Sequence, residues 1–192
     1  RFGPADRWNP AQGATLGYGS EGKIRYDRIA PCKGAGISRI SIMAQSLAKV
    51  HLHLIFSTQH RELLLRDSTR DALHAYMGGI FRDLDSPLIE ANSMPDHVHS
   101  LFVLSRTRSI SEVVGQVKRG SSAWLKTQGD DYRGFAWQSG YGAFSVSESM
   151  VDQVRNYIRN QQEHHRISTF QDEFRTFLER HHIEFDERYV WD

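Results

Sequence analysis

The chain has 192 residues, 39% of them hydrophobic and 24% charged, which suits one globular domain with a core and is short for two. No apolar run approaches the length of a membrane-spanning helix, and Arg1-Phe2-Gly3-Pro4 lacks the apolar segment of a signal peptide. The net charge of +1 is uneven: residues 1–42 carry seven Lys/Arg against three Asp/Glu, leaving 17 against 20 elsewhere, so a broadly basic nucleic-acid-binding surface is excluded and any such patch is local.

Residues 1–42 also hold seven of the 15 glycines and three of the five prolines, without a sustained period of 2 or 3.6. The expectation is a disordered leader, or an extension that is not native to a protein starting at Met43. The single Cys32 cannot form an internal disulfide, which points to a reducing compartment such as the cytoplasm.

From Lys49 to Ser57 the residues alternate as in a strand. Val50, Leu52, Leu54 and Phe56 share one face, and His51, His53 and Ile55 the other. A helix is expected next, capped by Ser68 with Asp71 three residues on; Leu73, Tyr76, Met77, Ile80 and Leu84 follow at helical spacing. Gly78-Gly79 inside it costs about 1 kcal/mol per glycine relative to alanine, which close approach to the sheet could offset.

Pro87 to Asn92 reads as a second strand. It leads through Met94-Pro95 into a third, His97-Val98-His99-Ser100-Leu101-Phe102-Val103-Leu104, and the short separation predicts an antiparallel hairpin. Period-2 alternation points His97 and His99 the same way, roughly 6–7 Å apart at their Cα atoms, close enough to converge on one ion. A lone His-x-His is weak evidence, and His51-x-His53 is a rival pair.

Ser109 and Glu112 form a capping box for a second helix whose apolar stripe is Ile110, Val113, Val114, Val117, Trp124 and Leu125. Arg106, Arg108, Lys118 and Arg119 lie in and around it. They are either a solvated helix face or a local DNA-binding patch.

The aromatic, glycine-rich run from Phe135 to Ser147 suggests a fourth strand interrupted near Gly140–Gly142. A third helix is expected from about Ser147 through His164 or His165. A short helix around Phe170 to Leu178 and an aromatic tail expected to dock on the domain close the chain. The order matches the α+β class: a split βαβ (ferredoxin- or RRM-like) antiparallel sheet with helices on one face, plus an added C-terminal helix carrying a tyrosine.

On that added helix Val151, Val154 and Ile158 form the buried face, while Tyr157, Gln161 and His164 run along its border. Each alone is an ordinary boundary residue. Together with a histidine pair they permit one particular chemistry. A tyrosyl oxygen, with a free pKa near 10, attacks a phosphodiester when a divalent ion neutralises and positions the phosphate.

Three separated stretches, Asp96-His97-Val98-His99, Trp137 to Val146, and Tyr157 to His165, together resemble the single-tyrosine HUH transposases of the insertion sequence 200-like family, with their REP-associated relatives. Ser46 to Thr58 and the ending Phe185 to Trp191 are similar to that family's first strand and tail. The resemblance spans 43–192, which would be the catalytic domain.

It implies that His97, His99 and Gln161 hold Mg²⁺ or Mn²⁺, that Tyr157 forms a 5′-phosphotyrosine link, and that Asp96 and His164 support the site. It further implies single-stranded DNA with hairpin ends as substrate, and a homodimer whose active sites are completed in trans by the partner's tyrosine helix. The location expected is the cytoplasm, nucleoid-associated when acting on DNA, with no membrane partner. Ser100 departs from the family pattern, as does the leader. Two alternatives stay open: a non-catalytic module binding DNA hairpins, and a metal-dependent phosphodiesterase using water.

Overall fold

A computed structural model describes residues 47–164, 169–188, 190 and 191, without the side chain of His164. The expected leader, His165, Tyr189 and Asp192 lie outside the described residues.

Four strands form one antiparallel sheet in the order β2-β3-β1-β4: β1 is Val50–Ser57, β2 Leu88–Ser93, β3 His97–Leu104 and β4 Gly142–Val146. This is the strand order of the split βαβ plan. β1 and β3 are central, with Ile55 opposite His99 and His53 opposite Leu101. β2 and β3 form the expected hairpin, which sets Asn92 opposite His99.

Alternation sends the two sets of side chains into two different cores. Leu52, Leu54 and Phe56 of β1 and Val98 and Phe102 of β3 meet α1 (Asp67–Asp83) and α2 (Ile110–Leu125) through Leu73, Met77, Phe81, Val113, Val114 and Val117. Burying each such side chain contributes about 1.5–3 kcal/mol. On the other face Ile55 and Phe144 pack against Phe170, Phe174 and Leu178 of α5 (Phe170–Arg180). The sheet is thus covered on both faces, where the sequence predicted helices on one face plus a single addition.

Several local expectations change. Arg66, with no side-chain cap bond, precedes α1, so Ser68 lies inside that helix rather than capping it. Gly78 and Gly79 are not sites of forced close approach: an added Cβ would lie 3.6 and 4.0 Å from its nearest neighbours. The tight crossing is at Gly120 of α2, where a Cβ would stand 2.6 Å from Ile80 Cδ1. Ser109 does cap α2, accepting from the Glu112 amide.

The aromatic run is split. Trp137 makes an isolated bridge to Thr58, a loop follows, and only Gly142–Val146 joins the sheet.

The tyrosine helix is also shorter than predicted. A 3₁₀ turn at Glu148–Met150 leads into α3, Val151–Arg159. The chain breaks at Asn160 (φ −95°, ψ 19°), and Gln161–His164 forms the separate turn α4. The break has a visible cause. Asn92 Nδ2 donates to the carbonyls of Ile158 and Arg159 at 2.8 and 3.2 Å, taking acceptors that a continuing helix would use.

The tail docks as expected: Phe185, Val190 and Trp191 pack on the α5 core, and Arg175 pairs with Glu187. Among the described residues, no helix is long and apolar enough to cross a membrane.

Candidate active site

His97 and His99 share the sheet face covered by α5, and both are buried. Each has a neighbour at its Nδ1. The His97 ring nitrogen lies 2.6 Å from Asp96 Oδ1, and His99 Nδ1 lies 2.9 Å from Nε2 of His53 on the adjacent strand. The Nε2 edge of His99 faces Glu173 Oε1 of α5 at 3.9 Å. One donor atom from each of His97, His99 and Glu173 lies within 4.8 Å of the others. Two imidazole nitrogens and a carboxylate oxygen form a donor set that suits Mn²⁺, and one that Mg²⁺ accepts when water fills its remaining positions.

The electrostatics follow from burial. Glu173 is pushed up to about 7, first by desolvation and then by the nearby Asp96. His53 is lowered to about 3 by its burial, with His181 adding to the effect, so it stays neutral at physiological pH. Phe170 stacks on His97 at 4.3 Å between centroids and fixes that ring from the α5 side.

Tyr157 reaches the same place. Its ring centroid is 6.1 Å from that of His99, 6.2 Å from His53 and 6.0 Å from Phe177. Its helix is tied to the hairpin by two guanidinium–carboxylate pairs, Arg155 and Arg159 on Glu90 at 3.0 and 2.6 Å, as well as by Asn92. The tyrosine therefore stands beside its own chain's histidine.

Gln161 is fully buried, and among the described residues neither its amide oxygen nor its amide nitrogen has a hydrogen-bond partner. Leaving such a group unsatisfied costs about 1–3 kcal/mol, so its burial asks for a ligand. Because of the break at Asn160, Gln161 is not the next turn of Tyr157's helix, as the sequence predicted, but begins a new one. His164's side chain lies outside the described residues.

The four predicted DNA-binding cations are not gathered with the histidines. Lys118 and Arg119 ride on α2, which covers the opposite sheet face. The Lys118 ammonium donates to the carbonyls of Gln138, Ser139 and Gly140 at 2.5, 3.1 and 2.9 Å, clamping the loop before β4. Partial burial lowers it to about 8. Arg108 pairs with Glu112 one turn on, while Arg106 and Arg119 are exposed.

Sequence reasoning missed Glu173 as a member of the cluster, and read His53 only as half of a rival histidine pair. Glu173 lies at the edge of the stripe formed by Phe170, Phe174 and Phe177, and a carboxylate against an apolar face was the available signal.

The family model described as "Transposase IS200 like" matches residues 46–161. The ISDra2 transposase of Deinococcus radiodurans is 26% identical over 118 residues, covering 59% of this chain and 84% of that relative. The transposase of insertion sequence IS200 from Salmonella typhimurium is 26% identical over 116 residues, covering 58% and 76%. A crystal structure described as a transposase from Deinococcus radiodurans aligns with a TM-score of 0.50 at 26% identity, covering 64% of this chain and 98% of that one.

Proposed function

This chain belongs to the IS200-like transposase family of DNA-processing proteins, and on that premise we propose that it cuts and rejoins single-stranded DNA at hairpin-bearing element ends through Tyr157. The observation that carries the reading is the approach of Tyr157, 6.1 Å ring to ring, to a histidine of the His97–His99–Glu173 donor cluster within one chain.

In this reading the tyrosyl oxygen forms a bond to the scissile phosphorus while the bond to the 3′-oxygen breaks. The phenolic proton is the one the departing 3′-hydroxyl acquires overall. A 3′-hydroxyl attacking the 5′-phosphotyrosine reverses the step and rejoins DNA. His97, His99 and Glu173 would hold Mn²⁺ or Mg²⁺, with Gln161 as a further donor. The ion when bound neutralises and orients the phosphate.

The protein's own residues do the rest. Asp96 accepts from His97 Nδ1–H, and neutral His53 accepts from His99 Nδ1–H, so both rings turn a lone pair on Nε2 towards the site. Glu90 and Asn92 fix the helix that presents the tyrosine. The active site in this proposal is completed in cis, and residues 43–192 are the catalytic domain.

The test mixes the protein with Mn²⁺ and single-stranded DNA carrying the element's end hairpin, followed by a denaturing gel. A covalent protein–DNA adduct that disappears with EDTA and in Tyr157→Phe is expected. Cleavage persisting in Tyr157→Phe without an adduct would replace this reading with a water-using phosphodiesterase. Hairpin binding indifferent to EDTA, with no cleavage, would leave a binding module.

A further inference from the structure

A cavity of about 480 Å³ opens beside Tyr157, between β4, α3 and α5. Its size falls in the range of about 300–1,000 Å³ typical of small-ligand sites. Aromatic groups make up much of its wall: Phe144, Phe177, His53, His181 and Tyr157. Phe144 stacks on Phe177 at 5.2 Å and lies 4.8 Å from the His181 ring, so the wall is already ordered.

The charge pattern is one-sided. Among the described residues no carboxylate lines the cavity, whereas Arg180 does. Among the described residues Arg180 is exposed and pairs with no carboxylate, unlike Arg155, Arg159 and Arg175, each of which is paired. An aromatic wall with one unpaired guanidinium at its mouth matches an unstacked base attached to a phosphate.

We propose that this cavity receives one nucleotide of single-stranded DNA, the base lying against the Phe144–Phe177–His181 wall and its phosphate at Arg180. Because Tyr157 forms one side, the bound nucleotide is a neighbour of the scissile phosphate. That placement rests on the assignment of Tyr157 as nucleophile, whereas the nucleotide site itself does not. The cavity would thus add readout of a flanking base to recognition of a hairpin.

The test uses the full chain in EDTA, where no cleavage is needed, and follows by NMR the binding of the four deoxynucleoside 5′-monophosphates and of base-free 2-deoxyribose 5-phosphate. At least one nucleotide binds more tightly than the sugar phosphate by about fivefold or more, and Arg180→Ala weakens it by a similar factor. Phe177→Leu removes the preference for the base. Gln153→Trp, placed at an exposed position lining the cavity, blocks binding without disturbing the core.

Nucleotides binding no better than the sugar phosphate would overturn the proposal, as would binding that Arg180→Ala and Gln153→Trp both leave unchanged. Nucleotide binding together with a failed adduct assay would sink the tyrosine chemistry and keep the pocket. The converse result would sink the pocket alone.

Discussion

Glu173 stands half-buried beside Asp96 and the imidazole edge of His99, and that placement makes the metal-free protein sensitive to pH. Its carboxyl holds a proton up to about 7 in the folded chain, against 4.5 when unfolded. Between those values the folded state binds more protons than the unfolded one, so its contribution to stability is present below about pH 4.5 and lost as pH rises to 7. The loss is at most about 3 kcal/mol. Metal-free wild type should therefore melt lower at pH 8 than at pH 5 by more than Glu173→Gln does, and Mn²⁺ should restore the wild type at pH 8. Equal pH dependence in both proteins, followed by calorimetry, would count against the assignment. His53 acts through His99: His53→Leu should weaken Mn²⁺ binding by about 10- to 100-fold, and His53→Gln should recover part of it. Isothermal titration decides this, and unchanged affinity in His53→Leu would remove His53 from the site.

At the scale of elements, the decisive junction is between α3 and the β2–β3 hairpin. Asn92 sits opposite His99 and holds the last carbonyls of α3, so one residue links the position of the histidine strand to that of the tyrosine helix. Asn92→Ala removes two hydrogen bonds, at about 1 kcal/mol each, and frees the helix to run on through Asn160. Adduct formation should fall by about tenfold to a hundredfold, because small misplacements of a nucleophile are costly. A thermal melt beside a single-turnover adduct assay separates the two effects, and an unchanged adduct rate would show that the junction does not position Tyr157. Close packing of α5 has a similar dependence on one residue: an added Cβ at Gly142 would come within 2.6 Å of Phe174, so only glycine lets that helix lie where it carries Glu173 to the histidines.

For the whole molecule, both sheet faces are covered by helices of one chain, and each donor group and the tyrosine come from that same chain. The family resemblance implied a partner's tyrosine helix. The cis arrangement proposed above predicts instead that mixing His97→Ala with Tyr157→Phe gives no adduct above that of either alone. Recovery of adduct in the mixture would establish exchange of helices between subunits. Either result is read on the same denaturing gel.

The sequence by itself determined the strand order, the hairpin, the shared face of His97 and His99, and the tyrosine's place on the border of an amphipathic helix. These follow from periods of 2 and 3.6 and from capping residues, which are local properties. It did not determine that Glu173 joins the histidines, that His53 touches His99, that Lys118 turns inward, or that α3 stops at Asn160. Each of these depends on which distant group arrives at a given atom: α5 brought over the sheet by Gly142, β1 beside β3, the 138–140 carbonyls over Lys118, Asn92 against the end of α3. Burial and hydrogen bonding between residues far apart in the chain leave no periodic trace, so only the tertiary structure decided them.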